Sequence, residues 1–389
     1  MTSNLFEHVD TLKTLNDNAP IAEKLACAHA ALQQHLPAVE RVAVALYDVR
    51  TDVLKTFSHS TDRINPLEHY QSRLADASSL QEILAHGQPR VIQDLTEFAQ
   101  GKREHTQRIA AQGYRASYTM PMYHNGSFVG FVFFNSTAEG GFQEAELQLL
   151  DIFGHLVAVT VISELISIRT LVASVQATRH VTQYRDVETG AHVSRTAHYA
   201  RMIAQHLAVT HKLSDEFIEH VYLFSPLHDI GKIGVPDSVL LKPGKLTVEE
   251  FEVMKTHTRR GGEIIDIILK DFALSSFEQV DILRNIVLYH HETMDGAGYP
   301  TGLKGSAIPL EARISAVADI FDALTSQRPY KNAWSNDEAF TALRGLTPLK
   351  LDAECVDALI QCRSQIEETQ AQFRDIPPAE PRQHPGERL

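Results

Sequence analysis

Cysteine is scarce in this 389-residue chain. The three present, Cys27, Cys355 and Cys362, form no CxxC pair. They are too few for a disulfide framework and suit a reduced, cytoplasmic compartment. Basic residues are the minority: 36 Lys and Arg against 49 Asp and Glu leave a formal net charge of −13. That sign argues against duplex DNA or RNA, where clustered cations must replace counterions. A small phosphate ligand stays compatible, because bound metal ions set the local charge. Long apolar runs are missing too. The most apolar stretch, Leu156 to Ile168, is interrupted by Glu164 and falls short of the ~20 apolar residues a membrane span needs. The start, MTSNLFEHVDTLK, has neither the basic nor the apolar block of a signal peptide. The expectation is a chain with no transmembrane segment and no membrane partner.

The length exceeds one ordinary domain, and each half is large enough to bury a core. After an N-terminal segment (1–19), residues 20–155 read as a mixed α/β domain. Ile21 to Leu36 has helical periodicity, Arg41 to Asp48 and Val53 to His59 read as strands, Leu80 to His86 as a helix and Val91 to Asp94 as a strand. Ala116 to His124 and Ser127 to Asn135 flank Asn125-Gly126, the signature of a type I′ hairpin. A connecting helix is expected over 143–185. Within it Ala158, Val161, Leu165, Ile168, Val172 and Val175 follow 3-4-3-4-3 spacing. This is either a dimer seam or a stripe packed on the helix's own domain; a homodimer through this helix is the expectation.

From 186 to 370 the pattern changes to helices with punctuating loops, and the Pro- and charge-rich tail 377–389 is expected to be disordered. Nine of the twenty histidines fall between Glu188 and His291. Glu188 and His192 are four apart, so one helical face would carry both. His228-Asp229 follows the apolar segment Val221 to Leu227, and a buried charged pair needs a partner. Lys232 follows at i+4 from His228 and suits a phosphate oxygen as a point charge. His257 lies in a helix opened by the capping box Thr247 to Glu250. His290-His291 end a helix that begins near Phe277, and a Gly-rich loop follows them. Asp319 interrupts the apolar run Ile314 to Ile320, which hints at an inward carboxylate.

Each piece alone also fits a solvated pair, a helix cap or a core histidine. Together they give five histidines and three carboxylates, more than the four ligands one zinc ion takes. Imidazole and carboxylate without thiolate suit Fe or Mn. Two such ions can activate a hydroxide and stabilise both attacking and leaving oxygens of a phosphodiester.

The N-terminal pattern resembles a GAF domain, a small sensory module with a central antiparallel sheet. The C-terminal half resembles the HD-GYP branch of the HD phosphohydrolases. The residues that carry this are His228-Asp229 with HDIGKIGVPDSVLLKPGKLT, the His290-His291 pair, Gly298-Tyr299-Pro300, and DALTSQRPYK from Asp322 to Lys331. The implied architecture is multi-domain: an α+β GAF-like antiparallel sheet, a long connecting helix and an all-α HD-type bundle. The implied activity is hydrolysis of cyclic di-GMP to pGpG, GMP or both. The implied metal ligands are His228, Asp229, His257, His290, His291 and Asp319, with Glu188 and His192 joining where three ions rather than two are held. Lys232 matches the lysine that touches the scissile phosphate. Arg313, Arg328 and Lys331 stand where the family places substrate-binding residues. Gly298, Tyr299 and Pro300 form a loop linked to partners such as diguanylate cyclase domains, and the GAF half implies a small ligand of unknown identity. Two departures stand out: Met294 replaces a Trp before the loop's Asp-Gly, and Leu346 to Ala353 replaces a Gly-Thr-x-Phe-Asp-Pro stretch. A silent partner-binding module, or a hydrolase of another cyclic dinucleotide such as cyclic GMP-AMP, are the alternatives.

Overall fold

The structure is a computed structural model that describes residues 8–65, 67–95, 108–109, 111–138, 140–181, 190–271, 279–327 and 332–374. Two compact units emerge. The first is built on the chain up to Ser174 with Ala208–His220 and Asp266–Asp281; the second on Val175–Leu207, Val221–Ile265 and the chain from Ile282.

In the first unit, α1 (Ile21–Gln33) precedes β1 (Val39–Asp48) and β2 (Val53–Thr61). Then come β3 (Gln71–Arg73), α2 (Ser78–His86), β4 (Arg90–Ile92), β5 (Ala116–His124) and β6 (Ser127–Ser136). The strands make one antiparallel sheet in the order β3-β2-β1-β6-β5-β4. The expected hairpin is present: Asn125 and Gly126 have φ of 48° and 78°, as a type I′ turn requires. Alternation along the strands separates two cores. Val42, Val44, Met120 and Phe134 face the larger one, whereas Ala45, Leu54 and Phe131 join α2 residues in the smaller. The edge strand β3 escapes a sequence reading because it is three residues long and reads Gln-Ser-Arg.

The long helix α3 (Glu144–Val181) closes the larger core. A Cβ on Gly154 would come within 3.0 Å of the Met120 sulfur, so glycine lets the helix approach the sheet. Ala158, Val161 and Leu165 belong to this core, and Ile168 and Val172 are buried as well. Five of the six stripe residues are therefore buried within the chain, against their reading as the dimer seam, and the Val175 side chain lies outside the described residues. The helix is also more apolar than its sequence suggested: Glu144–Ala173 is long and apolar enough, by length and composition, to cross a membrane. Its apolar stripe nevertheless fills the sheet core. Glu164 is half-buried, 3.5 Å from Lys24; burial raises its pKa, and Lys24 opposes the rise in part.

After α3 every regular element among the described residues is helical. These are α4 (Gly190–His211), α5 (Asp215–Phe224), α6 (Asp237–Leu240), α7 (Val248–Asp271), α8 (Val280–Tyr289), α9 (Leu310–Thr325), α10 (Asn336–Leu346), α11 (Ala353–Gln361) and α12 (Arg363–Gln372). The capping box before α7 closes reciprocally: Glu250 N donates to Thr247 Oγ1 at 3.2 Å and Thr247 N to Glu250 Oε2 at 2.7 Å. Rings set the bundle. Tyr199 of α4 meets Phe321 of α9 edge-on at 5.1 Å, and Phe321 stacks on Phe340 of α10 at 5.3 Å. That packing turns one face of α9 toward α4, and the site is built there. The tail from 377 lies outside the described residues.

Candidate metal centre

His228-Asp229 sits between two short 3-10 turns, Ser225–Leu227 and Ile230–Gly234. Gly231 explains why this turn can reach α7. A Cβ there would lie 1.8 Å from the His257 carbonyl oxygen and 2.5 Å from Gly261 N. Backbone packs on backbone at that point, which brings Asp229 against His257. Beside that contact, a Cβ on Gly261 would lie 2.6 Å from Val287 of α8 and 3.3 Å from Gly231 N, so the same helix is drawn close to the one that delivers His290.

The structure gathers seven of the eight expected ligands, all within the second unit. Ligand atoms of Asp229, His257, His290 and His291 lie within 4.8 Å of one another, as do those of His192, His228 and Asp319. Asp229 joins the two groups. Its Oδ1 is 3.3 Å from His257 Nε2 and 3.7 Å from His290 Nε2, and its Oδ2 is 3.2 Å from His228 Nε2. Asp319 Oδ1 stands 3.8 Å from both His192 Nε2 and His228 Nε2. Glu188 lies outside the described residues.

The donor set fits divalent cations on a specific ground. In four of the rings, Nδ1 is engaged on the outer side: His228 with Ser225 O (2.8 Å), His257 with Met254 O (2.8 Å), His290 with Ile286 O (2.9 Å), and His192 with Asp322 Oδ2 (2.7 Å). Donation from Nδ1 fixes the tautomer and leaves the Nε2 lone pair facing inward, the arrangement of metal-binding imidazole. His257 Nε2 and His290 Nε2 then face each other at 3.4 Å. Burial lowers the pKa of His257 to about 4 and holds His291 well below its ordinary value. For Asp229, burial would raise the pKa, but Lys232 and His228 outweigh it and keep the carboxyl well below the usual range. Two adjoining clusters of this composition describe a di-metal site of the HD type.

Lys232 reaches back through a 3-10 turn rather than along a helix, with Nζ 2.6 Å from Asp229 Oδ2 and its side chain 21 % exposed at the rim. Arg313, expected at the substrate, is engaged within the bundle. Its Nε donates to Ile308 O at 3.0 Å and its Nη1 pairs with Asp352, the N-cap of α11. These bonds tie the start of α9 to α11. Arg328 and Lys331 lie outside the described residues. The Gly298-Tyr299-Pro300 loop folds back on the histidines. A Cβ on Gly298 would lie 2.4 Å from Thr293 N, Tyr299 N donates to His291 O at 3.2 Å, and the Tyr299 and His291 rings are 4.8 Å apart.

Two supporting residues were missed. Glu292 is buried and accepts backbone N–H groups of Thr301, Gly302 and Leu303 at 2.7–3.0 Å, pinning the loop. Asp322, fully buried on α9, accepts from His192 Nδ1 while Arg195 clamps it from Nε (2.6 Å) and Nη2 (3.0 Å). Burial would raise the Asp322 pKa; His192 and Arg195 pull it below its ordinary value. The available signal was spacing: Asp322 follows Asp319 by three residues, on the same helical face. The region that departs from the family pattern also holds the loop, since Met294 N and Asp295 N donate to Lys350 O and Leu349 O.

The HD domain family model matches residues 163–355 and the GAF domain model residues 23–161. The chain is 49% identical over 191 residues to the "Cyclic di-GMP phosphodiesterase response regulator RpfG" of Xanthomonas campestris pv. campestris, covering 49% of this chain and 48% of that protein. It is 44% identical over 199 residues to a "Cyclic di-GMP phosphodiesterase" of Vibrio cholerae, covering 50% and 40%. With a "3'3'-cGAMP-specific phosphodiesterase 2" of Vibrio cholerae it shares 33% identity over 245 residues, covering 59% and 45%. The chain spans about half the length of the curated relatives it matches, or less. It consists of a GAF domain followed by an HD domain that matches the HD-GYP family of cyclic di-GMP phosphodiesterases.

Proposed function

We propose that the chain hydrolyses the phosphodiester bonds of cyclic di-GMP to pGpG, GMP or both, under the control of its GAF domain. The observation that carries this reading is the convergence of seven imidazole and carboxylate donors, with lone pairs inward, in two adjoining groups. Two divalent ions, Fe or Mn, fit that set, and Glu188 with His192 would serve a third ion. When bound, such ions supply an acidified water as nucleophile and charge for the attacking and leaving oxygens.

The chain's own residues do the rest. Ser225, Met254 and Ile286 carbonyls and Asp322 hold the four rings in one orientation. Asp229 supplies one carboxylate oxygen toward each group. Lys232, on the rim, meets a non-bridging phosphate oxygen as a point charge and offsets the charge that develops there. Arg328 and Lys331 hold the remainder of the dinucleotide. The GAF domain takes a small ligand, the Gly298-Tyr299-Pro300 loop docks a partner such as a diguanylate cyclase domain, and the chain pairs as a homodimer. With the stripe of α3 buried, that pairing falls to its outer face, where Ile152 and Val159 are exposed seven residues apart.

A second substrate, cyclic GMP-AMP, is favoured by the name of the relative matched over 59% of this chain. Chromatography of products from the two cyclic dinucleotides, at equal concentration, tests the reading. Faster release of pGpG or GMP from cyclic di-GMP supports it. Faster turnover of cyclic GMP-AMP replaces the substrate, and turnover of neither leaves a partner-binding module.

A further inference from the structure

The first turn of α5 is gripped from a distant part of the chain. The Asp215 carboxylate, on the first residue of the helix, accepts three bonds: from Thr56 Oγ1 at 2.7 Å, from His69 Nδ1 at 2.8 Å and from His69 N at 3.3 Å. His69 has a φ of 54°, a left-handed backbone that a residue with a Cβ keeps only where its surroundings over-determine it. Glu219 pairs with Lys55 of β2, and both are buried. Asp215 and Glu219 are four apart, so one face of α5 carries both. On the other side, Lys55 and Thr56 are neighbours on β2, and His69 lies between β2 and β3. Both sides of this clamp belong to the first compact unit, although β2 falls within the GAF match and α5 within the HD match.

From that grip α5 leads to a metal ligand. Its ten residues, about 15 Å of helix, end at Phe224, and the 3-10 turn Ser225–Leu227 then delivers His228. Ser225 Oγ donates to Val221 O in the last turn of α5 at 2.7 Å, and His228 Nδ1 donates to Ser225 O at 2.8 Å. The end of the helix therefore holds the carbonyl that orients the ring. A buried ion pair adds little net stability over an apolar replacement, and its best-attested use is to fix a register. We propose that Asp215 and Glu219 are positioning residues: held by His69, Thr56 and Lys55, they fix α5 along and about its axis and so place His228 for metal. The seven donors converge with this clamp closed. Releasing it lets α5 turn or slide, and Ser225 O and His228 move with it. A change in β2 thus reaches the metal centre through a single helix. The inference rests on the reading of that centre and is independent of which dinucleotide is cleaved.

The test measures Mn²⁺ affinity of the full chain by competition with a chelator, beside amide hydrogen exchange over α5 and the thermal midpoint of the metal-free protein. Glu219→Gln should weaken Mn²⁺ binding by about tenfold, the effect of disturbing a group that orients a ligating histidine, and should speed exchange in the last turn of α5. Thr56→Val, which removes one of the three donors to Asp215, should move both readouts the same way by less. Because Glu219→Gln removes the charge facing buried Lys55 and risks misfolding, a charge swap is the second arm. Lys55→Glu and Glu219→Lys should each weaken binding, and the two together should regain it. Met122→Ala opens a cavity in the sheet core, and should lower the midpoint while leaving Mn²⁺ affinity unchanged. Clamp variants that lower the midpoint as Met122→Ala does, yet bind Mn²⁺ as the parent does, would overturn the proposal. A parent that binds no Mn²⁺ would instead remove the metal-centre reading, and the proposal with it.

Discussion

His257 Nε2 and His290 Nε2 face each other at 3.4 Å while the Nδ1 of each ring is engaged with a helix carbonyl. With both outer nitrogens donating, two lone pairs point at one another in a buried space. Protonating one ring would relieve the clash, but burial opposes that and holds His257 at about 4. A cation between the rings resolves the conflict without a proton, and Asp229 Oδ1 stands 3.3 Å and 3.7 Å from the same two nitrogens.

Asp229 carries the largest consequence. Asp229→Asn keeps the shape but removes the charge shared by the two groups. Metal content and turnover should fall together, turnover by about 100-fold or more. The double replacement of His228 and Asp229 by Ala should abolish both. Elemental analysis beside a turnover assay checks this; full metal and activity in the double variant would remove the site assignment.

Asp322→Asn keeps a hydrogen-bond acceptor for His192 Nδ1 but removes the negative charge that the buried Arg195 clamps. Loss of a partner that orients a metal-ligating histidine typically costs about 10–100-fold in affinity, and leaving a buried charge alone costs about 3–5 kcal/mol. Competition with a chelator and the thermal midpoint should both move. A change in midpoint with unaltered metal affinity would assign Asp322 to the fold alone.

Gly231→Ala would place a Cβ 1.8 Å from the His257 carbonyl oxygen. The turn and α7 must part, so His257 retreats from Asp229. Metal binding should weaken, with about 1–3 kcal/mol of overpacking cost. Equilibrium unfolding and metal titration would show it.

His220 is buried, and burial holds its pKa at about 4 against the opposite pull of Glu219. An unfolded histidine titrates near 6.5. The stability gained from a neutral ring is thus complete above about 6.5 and is lost as pH falls toward 4, up to ~3 kcal/mol. Metal-free His220→Leu should show a shallower loss of stability over that window. The slope persists in part because burial also lowers His29 and His59. An unchanged slope would contradict the assignment.

Local pattern made much of this fold legible. Asn125-Gly126 and the capping box at Thr247 specify their turns through their own backbone and side chains, and both appear as read. The candidate ligands that converge were readable because adjacent His-Asp and His-His pairs in apolar surroundings have few other uses. What escaped depends on contacts distant in sequence. The 3-4 spacing on α3 fits a second copy as well as the chain's own sheet, and only the sheet decides between them. The pairing of Arg313 with Asp352, 39 residues away, likewise had no local signal. Asp322 and Glu292 needed the folded neighbours that they serve.

The most direct measurement is cyclic di-GMP turnover as a function of metal bound per chain, beginning with protein stripped by a chelator and reloaded anaerobically with Fe or Mn. The account predicts no turnover without metal and full turnover only once at least two ions are bound, with pGpG or GMP released. Turnover that is indifferent to metal content, or fully loaded chains that release neither product, would contradict it.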